Sequence, residues 1–378
     1  MAPLSLADRV QIGALTTRNR ICVPPMVRFH LAGPDGVVTE EHVAHYTHLA
    51  RGGAGLIIQE ATCVTREGRL SEDQLGIWED GHVPGLRRIV EAVHGAGCPI
   101  LVQLHHGGIM SSVGRRVCPS SYLYRFSPRH TGQKLAEEIQ TVRGEELTAE
   151  EIQTIRQAFI DGGRRAWQAG YDGVELHGCH SYLLCQFLNR RVNRRTDAYG
   201  TDPLHLVREI FDGIRQATAP DFVIGIRLGG FEPALADGIA HAKALAACGL
   251  EFLDISYGFS AEMDPTAPGN PAFSAAVRAA AAIKQEVFMK KFLALILALT
   301  MVFAFTACGS STESEQEPDV ASSEVTEEVT DDADDVAADE EAKDEEASKE
   351  EDASKEATPT VKAVSETVWA SSEVNVRA

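Results

Sequence analysis

The sequence lacks the cysteine spacing of a metal cluster or a disulfide framework. Its eight cysteines include no pair separated by two residues, in a chain of 378 residues. Zinc and iron–sulfur sites usually use such pairs, and disulfide frameworks belong mainly to short secreted chains. The start of the chain also lacks the basic residues and apolar run of a secretory signal. Residues 1–287 are therefore expected to form a reduced, cytoplasmic protein.

The sequence has no excess of basic residues, and its net negative charge comes mainly from the C-terminal residues. The formal net charge is −20, yet residues 309–378 hold 23 Asp or Glu against 5 Lys or Arg. Residues 1–308 hold 32 against 30, so that part is nearly neutral. A nearly neutral protein offers no basic face to nucleic acid. We therefore expect small molecules, and no nucleic acid, as partners of residues 1–287.

Residues 1–287 contain six repeats of one pattern, in which a short apolar run is followed by a helical pattern. The runs are rich in Val, Ile or Leu and bounded by Gly or Pro, as buried parallel strands are. They lie at 20–26, 55–61, 99–104, 171–177, 222–228 and 251–257. Thr148 and Glu151 form a capping-box pattern at the start of one helix. Asp202 followed by Pro203 is expected to begin another, and Asp237 a third.

The order of these units predicts an α/β fold with a parallel sheet, either doubly wound or closed into a (β/α)8 TIM-type barrel. The first run is followed by PPMVRFHLAGPDG and not by a glycine-rich dinucleotide-binding turn. The barrel is therefore favoured. It is expected to be truncated after about six units, because no seventh strand follows residues 275–287. Active sites in such barrels lie on the loops at the carboxyl ends of the strands.

Polar residues gather where these strands end. Gln103 closes the third strand, and Arg227 lies in the fifth. The loop after the fourth strand carries His177, His180 and Tyr182, which can hold a polarised oxygen and deliver a proton. The same residues could instead be loop residues bonded to backbone, and spacing alone does not decide between the two. A zinc site would need a further ligand, and we expect no metal.

Six motifs stand in order along residues 19–200. They are NRICVPPM (19–26), EEHVAHY (40–46), EGRLSEDQLGIWEDGHVPG (67–85), QLHHGG (103–108), ELHGCHSYLLCQFLN (175–189) and NRRTDAYG (193–200). Together they resemble the old yellow enzyme family of FMN-dependent NAD(P)H:flavin oxidoreductases. The resemblance extends from about residue 4 to residue 287. It implies FMN as the cofactor and NADH or NADPH as the reductant.

The resemblance also implies which residues hold the flavin. They are Pro25, Met26, Val27, Ala61, Gln103 and Arg227. The first four would line one side of the isoalloxazine ring. Gln103 would bond to its pyrimidine edge, and Arg227 would favour the negatively charged reduced flavin.

The loop after the fourth strand would then bind substrate. His177 and His180 would bind the carbonyl oxygen of an activated alkene or a quinone-like acceptor. The flavin would give hydride to the β carbon, and Tyr182 would protonate the α carbon. Val27 and Phe29 stand where relatives often have other residues, which leaves substrate preference open. The physiological substrate, the choice between NADH and NADPH, and the oligomeric state stay open as well.

Residues 288–308 resemble the first residues of a different, exported protein. Met289 is followed by two lysines and then by the 16 uncharged residues 292–307, about 24 Å as a helix against a hydrocarbon core of about 30 Å. This length suits a signal segment, and Phe-Thr-Ala before Cys308 resembles the lipidation site of bacterial lipoproteins. We expect residues 292–307 either to tether the chain to a membrane or to be cleaved off before Cys308, with a buried core helix as the alternative.

An acidic tail follows this segment. Residues 309–362 have too few apolar residues to fold and predict a disordered linker, membrane-tethered or extracytoplasmic. Residues 363–378 alternate like a strand and resemble the start of a bacterial SH3-like domain. Two truncated proteins joined near Phe288, by gene fusion or by a sequence artefact, would explain the whole. The alternative function is then a membrane-anchored binding lipoprotein with an inactive barrel.

Truncation after about six units has two expected consequences for the barrel. The first and sixth strands are expected to be unpaired edges. FMN is expected to bind poorly or not at all, because the loops that hold its phosphate in this fold follow the last two strands, which have no counterpart.

Overall fold

The structure, a computed structural model, describes residues 5–126, 140–259, 269–270, 272–289 and 368–370. The strands are β1 Gln11–Ile12, β2 Leu15–Thr16, β3 Cys22–Val23, β4 Leu56–Cys63, β5 Ile100–His105, β6 Val117–Cys118, β7 Tyr122–Phe126, β8 Gln140–Glu146, β9 Gly173–Gly178, β10 Val223–Gly229, β11 Phe252–Ser256 and β12 Val368–Ala370. The α-helices are α1 Glu40–Arg51, α2 Val83–Gly95, α3 Ala149–Ala169, α4 Leu183–Leu188, α5 Ala198–Thr201, α6 His205–Ala217, α7 Leu235–Ala247 and α8 Ala275–Lys284.

Seven strands form one parallel sheet in the order β3, β4, β5, β9, β10, β11, β12. A helix lies between each of the first six strands and the next, which is the alternation of a (β/α) barrel. These six strands coincide with the six apolar runs, so the predicted parallel α/β order is confirmed. Within the described residues, no pairing of β3 with β12 closes the sheet.

The edge of the sheet differs from the expectation. The sixth barrel strand, β11, pairs in parallel with β12, with Leu253 opposite Val368. The prediction that this strand would have an unpaired edge is therefore wrong. The pairing also places part of the alternating segment 363–378 in a strand, while its resemblance to an SH3-like domain stays a prediction.

The capping-box prediction for α3 is confirmed, and two other predicted helix starts are shifted. The Glu151 N–H donates to the Thr148 hydroxyl at 3.2 Å, and the Thr148 N–H donates to the Glu151 carboxylate at 2.8 Å. Helix α6 begins three residues after Asp202, whose carboxylate bonds within the turn before the helix. Helix α7 begins before Asp237, whose carboxylate accepts from the Ala234 N–H at 3.1 Å.

The inner face of the sheet changes from apolar to polar along the strands. At the amino-terminal end the β1–β2 hairpin covers an apolar cluster of Val10, Ile12, Leu56, Ile58, Leu101, Val223 and Phe252. Alternate residues of a strand share a face, so positions two and four further along face the same interior. Those positions are Gln103 and His105 on β5, and Asp254 and Ser256 on β11. The polar site therefore lies at the carboxyl ends of the strands, as predicted for a barrel.

A small second sheet, not predicted from the sequence, lies between β5 and α3 along the chain. Its order is β6, β8, β7, with β7 antiparallel to β8. The hydroxyl of Tyr124 on β7 lies 3.1 Å from Ser181 Oγ, in the loop that follows β9. This second sheet therefore contributes a side chain to the polar end of the barrel.

Several predicted features lie outside the described residues. They are the apolar segment 292–307, Cys308, the acidic linker 309–362 and residues 371–378. Residues Gln285–Met289 continue α8 as a π-helical turn. In the part of the chain that the structure describes, no helix has the length and apolar composition needed to cross a membrane.

Candidate active site

The sheet register brings polar residues of four strands together. Gln103 pairs with Glu175 across β5 and β9, and Arg227 pairs with His177 on one side and Asp254 on the other. All five residues are buried. Gln103 Nε2 donates to Glu175 Oε1 at 2.7 Å, and Arg227 Nε lies 2.9 Å from Asp254 Oδ2. Two predicted positions, Gln103 and Arg227, thus belong to one buried cluster.

This buried cluster, Gln103, Glu175, Arg227 and Asp254, holds two carboxyl groups beside one guanidinium. Burial raises the pKa of Glu175, the nearby Asp254 raises it further, and Arg227 opposes both. Burial also raises the pKa of Asp254, again against Arg227. Gln103 Oε1, Glu175 Oε2 and Asp254 Oδ1 accept no hydrogen bond from any described residue. Because buried polar atoms are normally bonded, these oxygens suit the polar edge of a bound group.

A row of three histidines and a serine crosses the same end of the sheet. His105 Nδ1 lies 3.0 Å from His177 Nδ1, and His177 Nε2 lies 3.1 Å from His180 Nδ1. His180 Nε2 lies 2.6 Å from Ser256 Oγ. His177 and His180, both predicted from the sequence, are in contact. His105 and Ser256 were not predicted.

The loop that carries His180 has an unusual backbone. His180 and Ser181 have φ angles of 59° and 65°, the left-handed region that non-glycine residues seldom occupy. The His180 N–H donates to the Tyr257 carbonyl at 3.1 Å, and Gln186 Nε2 donates to the Ser181 carbonyl at 2.7 Å. Such strain persists only where the surroundings hold it, and it is often found at functional sites.

Tyr182, the predicted proton donor, stands against the histidine row. Its ring meets the rings of His105 and His177 edge to face, with centroids 4.5 Å and 4.7 Å apart. Burial raises the pKa of the Tyr182 hydroxyl above its ordinary value. The hydroxyl therefore keeps its proton at neutral pH.

The predicted flavin-lining residues lie at the ends of β3 and β4. Pro25 is buried, Met26 is 57% exposed and Val27 is partly buried. Ala61 is buried on β4. The neighbouring Glu60 ties the two segments together, because its Oε2 accepts from the N–H of Arg28 at 2.7 Å.

Glu60 itself gives a stability prediction. Burial raises its pKa from 4.5 to about 7, although bonds from Arg28 and Tyr46 oppose the rise. Between these values the folded chain keeps a proton that the unfolded chain loses, so stability falls as pH rises, by about 3 kcal/mol in all. Glu60→Gln is expected to remove this fall. Urea unfolding on both sides of the window measures it.

The control for this measurement is Glu150→Gln, which replaces an exposed carboxylate in the first turn of α3. It should leave the pH dependence of the unfolding free energy close to that of the unchanged chain. Equal slopes for Glu60→Gln and the unchanged chain would contradict the raised pKa of Glu60.

Metal-ligating atoms also meet at the end of β9 and the start of the loop that follows it. One ligand atom from each of His177, Cys179 and His180 lies within 4.8 Å of the others. Burial raises the pKa of the Cys179 thiol, so a metal would have to displace its proton. These are donor types that zinc accepts. The prediction that the site holds no metal stays a prediction.

Comparison with known proteins gives matches along most of this barrel. Residues 6–293 match the NADH:flavin oxidoreductase / NADH oxidase family. The chain is 36% identical over 251 residues to the NADPH dehydrogenase of Geobacillus thermodenitrificans, covering 65% of this chain and 70% of that one. It is 36% identical over 266 residues to the NADPH dehydrogenase of Listeria welshimeri, covering 67% and 73%.

Solved structures agree with these matches. An old yellow enzyme homologue from Zymomonas mobilis superposes with a TM-score of 0.58 at 28% identity, over 67% of this chain and 73% of that one. Morphinone reductase in complex with tetrahydroNAD superposes with a TM-score of 0.61 at 27% identity, over 75% and 78%. The fold of the described barrel is therefore that of old yellow enzymes.

Proposed function

Since this chain belongs to the NADH:flavin oxidoreductase / NADH oxidase family, we propose that it reduces activated alkenes, such as enones, and quinone-like acceptors. It is an NAD(P)H:flavin oxidoreductase that uses FMN, with NADH or NADPH as reductant. The observation that carries the proposed reaction is the contact of His177 with His180, beside Tyr182, at the carboxyl ends of the strands.

The buried cluster fits the pyrimidine edge of FMN. Gln103 Oε1 accepts nothing from the described residues and suits a ring N–H. The permanent charge of Arg227 suits the negative charge of a reduced flavin. Met26 and Val27 offer apolar surface to the ring system. When bound, FMN supplies the hydride for the reaction.

The histidine pair would bind and polarise the substrate. His177 Nε2 and His180 Nδ1 lie 3.1 Å apart, so one carbonyl oxygen can contact both nitrogens. Two N–H donors on that oxygen draw electrons from a conjugated alkene and favour attack at its β carbon. Tyr182 keeps its proton at neutral pH and gives it to the α carbon.

The acceptor is proposed to be a small molecule. Morphinone reductase, one of the similar structures, is named for the reduction of morphinone. The histidine pair would select for a carbonyl or similar oxygen conjugated with the alkene, because an isolated alkene gives the two donors nothing to bind.

The test is turnover by the whole chain after incubation with FMN. Flavin fluorescence titration comes first, because the sequence predicts that FMN binds poorly or not at all. Cyclohexenone and menadione are then assayed with NADH and with NADPH. We expect both acceptors to be reduced. A yellow, FMN-loaded preparation that reduces no acceptor with either nicotinamide would reject the proposal.

A further inference from the structure

The row His105, His177, His180, Ser256 contains more groups than substrate binding needs. Only the middle pair, His177 and His180, would contact a substrate oxygen. His105 and His177 are 0% and 5% exposed, and Ser256 is 2% exposed. The two outer residues therefore lie in the protein interior, each bonded to the far nitrogen of one substrate histidine.

Each imidazole in the row is neutral and so carries one N–H. Burial lowers the pKa of His105 to about 3 and, with neighbouring charges, holds the pKa values of His177 and His180 well below the ordinary value. A neutral imidazole donates from one nitrogen and accepts at the other. The partner at one nitrogen therefore decides what the other can offer.

We propose that His105 is a positioning residue that fixes the tautomer of His177. Ser256 supports either tautomer of His180, because its hydroxyl can accept from Nε2 or donate to it. When substrate is bound, His177 Nε2 and His180 Nδ1 then each present an N–H to its oxygen. The inference rests on the proposed function, because it places an oxygen between these two nitrogens.

The hydrogen count for the bound state follows directly. If His177 donates from Nε2, its Nδ1 must accept, and the donor at 3.0 Å is the Nδ1–H of His105. If His180 donates from Nδ1, its Nε2 must accept, and the donor at 2.6 Å is the hydroxyl of Ser256. Both outer bonds of the row are then satisfied, and the two inner nitrogens each donate to the substrate oxygen.

When no substrate is bound, His105 at the end of the row sets the direction in which the hydrogen bonds of the row run. His105 Nε2 is buried and meets no hydrogen-bond partner in the described ranges. A buried N–H without a partner is costly, so this nitrogen should carry the lone pair and Nδ1 the proton. His177 then accepts at Nδ1 and donates from Nε2 to His180, which donates from Nε2 to Ser256. Substrate binding needs only His180 to change tautomer as the serine hydroxyl turns.

Nitrogen-15 NMR of the FMN-incubated whole chain, labelled in histidine, tests this assignment without turnover. Protonated and unprotonated ring nitrogens resonate far apart, and His177→Asn and His180→Asn spectra assign the signals. The sample is treated with EDTA so that no metal occupies the rings. We expect His177 to carry its proton on Nε2 before and after saturation with 4-nitrophenolate. His180 should move its proton from Nε2 to Nδ1.

Paired variants separate positioning from packing. His105→Phe keeps a ring but removes the donor, and His105→Asn keeps an amide at the δ position. Ser256→Ala removes the hydroxyl, and Ser256→Thr keeps it. Loss of one hydrogen bond between neutral groups commonly corresponds to about a two- to tenfold change. We expect His105→Phe and Ser256→Ala to bind 4-nitrophenolate about tenfold more weakly, with His105→Asn and Ser256→Thr retaining most of the affinity.

The outcomes also distinguish the assignment from the proposed function. A proton on His177 Nδ1 in the unchanged chain would overturn the assignment even if enones are reduced normally. Equal weakening by His105→Phe and His105→Asn would overturn it as well. A His177 signal that follows expectation and shifts in His105→Phe supports the assignment, even if no acceptor is reduced and the proposed reaction fails.

Discussion

Replacing Tyr182 with phenylalanine is expected to slow the reduction of cyclohexenone by about 10²-fold or more, the scale for removing one positioned proton donor. The change deletes only the hydroxyl, so the edge-to-face contacts of the ring with His105 and His177 remain. Reduction of the flavin by NADPH takes no proton from this residue and should be nearly unchanged. Stopped-flow measurement of the two half-reactions separates these steps.

Tyr199→Phe is the matched control for this experiment. The Tyr199 hydroxyl bonds to Glu209 at 3.0 Å, beside α6 and away from the histidine row. It should leave both half-reactions unchanged. If Tyr182→Phe slowed both half-reactions equally, Tyr182 would be a structural residue and not a proton donor.

The strand order could be predicted from the sequence because its signals are local. Each apolar run is short and bounded by Gly or Pro, and each became a strand of the parallel sheet. The box of Thr148 and Glu151 was also predictable, since both bonds lie within three residues. The pairing of β11 with Val368–Ala370 was not predictable, because an alternating pattern indicates a strand but does not show with which strand it pairs.

The site was only partly predictable. His177, His180 and Tyr182 stand out because they crowd one short loop. His105 does not, because it is one of two adjacent histidines in QLHHGG and only the strand register turns it toward His177. Asp254 and Ser256 were not singled out, because they lie in the apolar run EFLDISY. The average hydrophobicity of a run does not show which of its residues face the interior of the barrel.

The small sheet β6–β8 could not be predicted from the sequence, for a different reason. Its strands lie outside the barrel sheet, so the strand–helix alternation neither requires nor excludes them. Tyr124 reaches Ser181 only through this small sheet. Contacts between a barrel loop and a separate sheet depend on tertiary packing, and local patterns in one sequence do not carry them.

Arg227→Met is expected to lower the free energy of unfolding by about 3–5 kcal/mol near pH 8, the usual loss when one partner of a buried ion pair is removed. Arg227 is the cation of the buried cluster, and Met fills a similar space without charge. Glu175 and Asp254 would then be buried without the group that lowers their pKa values. Urea unfolding without added flavin measures the loss, free of any contribution from ligand binding.

The pH dependence and two further variants test the cause of this loss. The pKa values of these carboxyl groups already lie above their unfolded values of 4.5 and 3.8, and without Arg227 they should rise further. The loss of unfolding free energy should therefore be smallest at acidic pH, where both chains keep these carboxyl groups protonated, and should grow as pH rises. Adding Asp254→Asn should recover part of it, because the amide leaves one charge fewer to bury. Arg88→Met, which removes an exposed pair with Glu40, should cost about 1 kcal/mol or less at every pH. A loss of that size for Arg227→Met, independent of pH, would mean that the carboxyl groups stay neutral without the guanidinium.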